Sequence, residues 1–183
     1  MLKESEKGRR NMICNDWYFM RDPYNSANKR NINNTDKMDY NCGGYALNTF
    51  SWYMPCKPED IDDYYLDLLD ACDYTELYDY AVSNLLKEFP KLHLSTQEIV
   101  MNQQYDTEKY YAIAFRYSET LDAEESSYGR DFHFAKQAKN GIWYHKLGCS
   151  EHIDRMNKVD LLKDWWNGTL VYNLPIVFFL MER

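Results

Sequence analysis

The period of the apolar residues changes near residue 105, and this change constrains the fold more than any other feature. Before it, Leu77, Tyr78, Ala81, Val82, Leu85, Leu86 and Phe89 recur at three-four spacing until Pro90. That spacing predicts an amphipathic helix, and Asp73 with Glu76 three residues on predicts a capping box at its start. After it, the stretch Tyr110–Tyr117 is rich in aromatic and aliphatic residues, which suit a strand. Segments 131–138 and 142–147 flank Lys139-Asn140-Gly141, a hairpin signal. Two more strands are expected at 170–172 and 176–181, with Pro175 where a strand tolerates it. Helices first and antiparallel strands second predict an α+β domain, its helices packed on a sheet built from 110–117, 131–138, 142–147 and 176–181.

The remaining segments are assigned by local signals. Pro58, followed by Glu59, Asp60, Asp62 and Asp63, predicts a further helix carrying Ile61, Tyr64, Tyr65, Leu68 and Leu69. Ser95 with Glu98 predicts a second capping box and a short helix to about Gln104. Val159, Leu161, Leu162, Trp165 and Trp166 predict another short helix, ending near Gly168. Residues 1–12 read as a flexible tail, 13–20 as an apolar patch of either strand or helix, and 118–130 as a loop. Residues 21–39 form a polar, Asn-rich connection of a length that is often functional.

At 183 residues the chain suits one domain with a sizeable core. Its 29 acidic against 21 basic side chains give a net charge of −8, which argues against nucleic acid or an anionic membrane as partner. No window approaches the length of a membrane span, and the charged start, MLKESEKGRR, lacks the apolar core of a secretory signal. The five cysteines, at 14, 42, 56, 72 and 149, are irregularly spaced and imply no disulfide framework. Reduced thiols in a cytoplasmic protein are the expectation.

One of those thiols has a special setting. In Tyr40-Asn41-Cys42-Gly43-Gly44-Tyr45-Ala46-Leu47 a polar run turns apolar, and Phe50 continues the spacing of a short helix. Cys42 then sits at the helix start, where backbone N–H groups favour a thiolate and stabilise an oxyanion. Glycine costs about 1 kcal/mol in a helix, so a Gly pair here points to close approach of a backbone or a substrate.

A thiol nucleophile needs a base, and the base needs a third group to fix its ring. Asp131-Phe132-His133-Phe134 supplies a strand histidine, and His145 lies on the partner strand of the same hairpin. A two-residue Asn140-Gly141 turn would pair Lys136 with His145 and separate the two imidazoles. A three-residue loop with Gly141 left-handed would pair Ala135 with His145 and put both on one face; this is favoured. Asp154, Asn157 and Asn140 are substitutes for the third role.

Asn41-Cys42-Gly43-Gly44-Tyr45-Ala46 resembles the nucleophile motif of papain-like cell-wall peptidases of the NlpC type, whose usual form is Asp-Cys-Ser-Gly-Leu-Val. The order Cys42, His133, then a polar residue about a dozen positions later, His145, is also similar. Residues 131–148, with Trp143 after the strand His, resemble the transglutaminase branch. The similarity spans roughly residues 38–52 and 110–148. The chain departs from the pattern in having no Ser after the Cys, no Gln about six positions upstream as in papain proper, and a large helical insertion, 58–105, between Cys and His.

The resemblance implies a papain-like fold and a thiol hydrolase or acyl transferase acting on an amide of a peptide or protein, with no cofactor. Cys42 would attack, His133 would move the proton and His145 would orient it. The N–H groups of Cys42 and Gly43, with Tyr40 or Tyr24, would hold the oxyanion, and Asn41 and Trp143 would line the substrate site. Two other readings stand beside it. One is an inactive papain-like binding or inhibitor protein of a virus or mobile element, using the acidic, Tyr-rich surface of residues 59–80. The other is a zinc site from His145, Cys149 and His152.

Overall fold

The computed structural model describes residues 40–49, 53, 55, 74–119, 130–146, 153–167 and 170–183. The N-terminal tail, the apolar patch at 13–20, the Asn-rich connection, the acidic Tyr-rich helix after Pro58 and most of the 118–130 loop lie outside them, as does Asp73.

The elements in chain order are α1 (Cys42–Ala46), α2 (Thr75–Glu88), β1 (Leu92–Ser95), α3 (Gln97–Met101), β2 (Tyr110–Tyr117), β3 (Phe132–Gln137), β4 (Trp143–Lys146), β5 (Ile153–Met156), α4 (Lys158–Leu161), β6 (Trp165–Asn167), β7 (Leu170–Tyr172) and β8 (Val177–Glu182). Six strands form one antiparallel sheet in the order β1-β8-β2-β3-β4-β5, and β6 and β7 form a separate ribbon. The chain is therefore of the α+β class.

Both faces of this sheet are covered, which is why β2 reads as a nearly unbroken apolar run. On the first face Ile113, Phe115, Tyr117, Phe132, Phe134 and Phe179 pack against Cys42, Ala46 and Leu47 of the α1 segment and Leu77, Ala81 and Leu85 of α2. On the second, Ala112, Ala114, Ala135, Trp143 and Phe178 meet Val100 and Met101 of α3, Leu161 of α4, Trp165 of β6 and Tyr172 of β7. The alternation of strand side chains thus assigns each residue of β3 to a layer. Phe132, Phe134 and Lys136 look toward α1, and His133 and Ala135 look toward the β6–β7 ribbon.

Three expectations are corrected. The stretch 58–105 is not helical throughout, because β1 joins the sheet edge beside β8. The cap of α3 is Thr96, whose Oγ1 accepts from Ile99 N–H, since Ser95 is spent as the last residue of β1. The helix predicted through Trp166 stops at Leu161, and Trp165 begins a strand instead. There the Trp165 indole donates from Nε1 to the Leu161 carbonyl and stacks over Arg116, a tertiary environment that outweighs local helical spacing.

Candidate functional site

The site is built from α1 and the β3–β4 hairpin. Asn41 is the N-cap of α1, its Oδ1 accepting from Gly44 N–H at 3.1 Å. The same oxygen accepts from Tyr53 N–H at 3.1 Å, and Nδ2 donates to the Tyr53 carbonyl at 2.6 Å. Asn41 is thus consumed in clamping the helix start to Tyr53 and is not a substrate contact. Gly43 is explained by the same neighbour: a Cβ there would lie 2.8 Å from Tyr53 Cδ1. At the other end, the buried Lys136 donates to the Tyr45 carbonyl at 3.1 Å and to Asn48 Oδ1 at 3.0 Å. A cation at a helix C-terminus satisfies orphan carbonyls, so β3 itself holds α1 in place.

This clamping sets Cys42 against β3. Its thiol lies 3.9 Å from the Phe132 carbonyl, and hydrogen bonding from the N–H groups of Phe134 and Gly43 also reaches the sulfur. The sulfur therefore sits beside the backbone on both sides of His133. The side chain is buried, and burial first, then the charge of Asp131, pushes the thiol up to about 12; the Phe134 and Gly43 N–H groups and Lys146 pull the other way but are outweighed.

The two imidazoles meet. The hairpin takes the register Ala135↔His145, with Gly141 at φ +80°, so His133 and His145 share a face. His133 Nε2 is 2.9 Å from His145 Nδ1, with the rings nearly perpendicular at 88°. The His133 ring is walled by Trp165 and by Tyr172, whose hydroxyl donates to Asp131 Oδ2 at 2.5 Å. Burial, then His145, then Lys146 hold His133 well below the ordinary imidazole value. Burial also lowers His145, against the pull of Asp154, its cross-strand partner.

The expected thiol–imidazole hydrogen bond is not formed. The Cys42 thiol points to a main-chain carbonyl, and the His133 side chain leaves the strand toward the opposite layer. A resting thiolate–imidazolium pair is also ruled against, since both shifts favour the neutral forms.

The remaining residues fall into place as follows. Tyr40 is buried beneath the Lys146 ammonium, 5.2 Å from its ring centre, and burial raises its phenol, leaving it protonated. Trp143 is fully buried against Phe178, opposite Gln137, and is core instead of a substrate wall. Asn140 accepts from Ile142 N–H inside the loop, and Asn157 caps α4, so neither reaches His133. Tyr24, Cys149 and His152 lie outside the described residues, among which no group of three or more His, Cys, Asp or Glu could hold a metal.

Sequence reasoning missed four neighbours of the pair: Lys146, Asp131 in its electrostatic role, Trp165 and Tyr172. Lys146 had a legible signal. Strand alternation puts it on the face opposite His145, with Tyr144, toward the Cys42 layer. Arg116 was another, a charge inside an apolar strand; it is buried opposite His133 and donates to the carbonyls of Leu174 and Lys163, both at 2.8 Å.

The chain matches no protein-family model, no curated protein and no solved structure. Among the described residues no helix is long and apolar enough to cross a membrane.

Proposed function

We propose that this protein is a papain-like thiol hydrolase or acyl transferase that acts on an amide of a peptide or protein. The observation that carries the reading is Cys42 at the start of α1 with its sulfur against the main chain flanking His133, while the His133 and His145 imidazoles pair 2.9 Å apart on the other face of β3. Nucleophilic acyl transfer uses a helix-start thiol and an imidazole oriented by a third group, brought within hydrogen-bond reach in the reacting complex.

The electrostatics select the order of events. Burial raises the thiol to about 12, so the neutral thiol is the resting form at pH 7. A neutral His133 must take the proton as the bond forms. In this mechanism His133 Nε2 carries a proton donated to His145 Nδ1, which leaves Nδ1 of His133 as the base. Because Cys42 packs on one face of β3 and the imidazoles on the other, contact between this nitrogen and the thiol requires a rearrangement of α1 or β3 on substrate binding, beyond any side-chain rotation. Sulfur bonds to the carbonyl carbon, and the carbonyl pair moves to oxygen. On collapse the carbon–nitrogen bond breaks and the amine takes the proton from His133. Water then adds to the thioester with His133 again accepting a proton, and the acid and the Cys42 thiol are released. In this mechanism the N–H groups of Cys42 and Gly43, at the start of α1, serve as the oxyanion donors.

The experiment is acylation by p-nitrophenyl acetate, followed by nitrophenolate release and peptide mass spectrometry. The expected result is a burst of one acetyl per chain, located on Cys42 and absent from Cys42→Ala. Equal release from Cys42→Ala, with the acetyl scattered over lysines, would remove the hydrolase reading and favour the binding-protein alternative.

A further inference from the structure

On the imidazole face the sheet buries a charge, Arg116. It is the cross-strand partner of His133, so both side chains leave the sheet on the same face. Only 4% of Arg116 is exposed. Its Nε donates to the Leu174 carbonyl and its Nη1 to the Lys163 carbonyl, each at 2.8 Å. Lys163 precedes β6 and Leu174 follows β7, so the guanidinium ties both ends of the ribbon to the sheet. Two neutral carbonyls need donors and not a full charge, and a buried charge is ordinarily paired. No carboxylate among the described residues forms an ion pair with Arg116. Its remaining nitrogen, Nη2, has no hydrogen-bond partner among the described residues and is not sealed from solvent. The guanidinium is therefore fixed on two sides and open on the third. It also shares a wall with the base: its central carbon is 5.1 Å from the centre of the Trp165 ring, and the His133 ring is 5.7 Å from it.

The geometry points to a carboxylate subsite: the open edge of the Arg116 guanidinium takes a carboxylate of the peptide substrate and holds that substrate on the face of β3 that carries His133. Calling the ligand a substrate rests on the function proposed above; the binding itself does not. A guanidinium presents five N–H groups in a planar fork, and a carboxylate matches two of them in parallel bonds. Here two N–H groups are spent on the ribbon, and those of Nη2 remain. Because Arg116 is already immobilised, little side-chain entropy is lost when a carboxylate docks. The net charge of −8 disfavours anions at a distance, so recognition of one requires a local, oriented cation of this kind. The carboxylate is the free end of a peptide or the side chain of an acidic residue, and both have this chemistry.

The test follows the Arg116 Nε–H and Trp165 indole N–H signals of the full chain by nuclear magnetic resonance. Three probes are added in turn: N-acetylalanine, with an α-carboxylate; N-acetylaspartyl amide, with a side-chain carboxylate; and N-acetylalanine amide, with neither. One of the two acids is expected to move both signals and to saturate in the millimolar range of a single ion-pair contact, while the neutral amide leaves them in place. Which acid binds tells a peptide end from an acidic side chain. Arg116→Gln keeps an amide donor for the ribbon carbonyls and is expected to weaken binding about tenfold or more, read at the Trp165 indole. Arg116→Lys keeps the charge without the fork and is expected to fall between. An arginine that only ties the ribbon gives no shift with either acid. That result in wild type overturns the subsite, as do equal shifts with the neutral amide or shifts confined to surface lysines, and none of these needs a variant that folds. Undiminished binding to a folded Arg116→Gln protein overturns it too. Carboxylate binding without an acetyl burst on Cys42 defeats only the hydrolase; an acetyl burst without carboxylate binding defeats only the subsite.

Discussion

Cys42 and His133 are both held neutral by burial, and the two effects appear at opposite ends of the pH scale. The imidazole is lowered from 6.5. Below that value the unfolded chain binds protons that the folded chain refuses, so stability falls as pH drops from about 6.5 toward the folded pKa. The thiol is raised from 9.0 to about 12. Its contribution is intact below pH 9 and is lost as pH rises from 9 toward 12. Thermal melts of wild type and His133→Gln should therefore diverge on the acid side, the variant showing a shallower decline below pH 6.5. Parallel acid limbs would mean that His133 is charged or solvated in the fold. Gly43 adds a second test at this scale. A Gly43→Ala methyl meets the Tyr53 ring at 2.8 Å, and overpacking of this kind costs about 1–3 kcal/mol. Urea unfolding should show that loss, and the same Gly43→Ala change should cost less when made in a Tyr53→Ala background, where the ring is absent.

Five residues of helix do not hold themselves together, so α1 depends on its two attachments. Asn41→Ala removes the cap and strands the buried Tyr53 N–H and carbonyl; a loss of about 3 kcal/mol in urea unfolding is expected. A change under about 0.5 kcal/mol would show that Asn41 does not anchor the site. Elements announced by strong local chemistry were legible in the sequence: Pro90 ending α2, the Gly141 loop, and β2, β3, β4 and β8. Of the two registers that the Lys139-Asn140-Gly141 signal allows, the favoured one, which pairs Ala135 with His145, is the one formed. Elements formed by tertiary demand were not. Leu92–Ser95 carries an exposed Leu94 and is a strand only because β8 offers an edge. Trp165 and Trp166 satisfy a helical spacing yet pair with β7. At the start of α2 the N-cap is Tyr74, which makes no side-chain cap bond, and Asp73 of the expected box lies outside the described residues.

At the scale of the molecule, the sheet divides the candidate site. Cys42 belongs to the layer of α1 and α2, and the imidazoles belong to the layer of α3, α4 and the β6–β7 ribbon. The residue types and their order were legible. The layer of each side chain was only partly so, because it depends on which face α1 covers, and no local spacing records that. The proposed chemistry requires that thiol and imidazole, though rooted on opposite faces of β3, act as one unit. The most direct measurement is the rate of acetyl transfer from p-nitrophenyl acetate to Cys42 at pH 7 in wild type and in His133→Ala, with circular dichroism confirming that both are folded. Loss of the base should lower the rate about 10²–10⁴-fold. An unchanged rate in a folded His133→Ala protein would contradict the account, leaving Cys42 a buried core thiol and His133 a structural partner of His145.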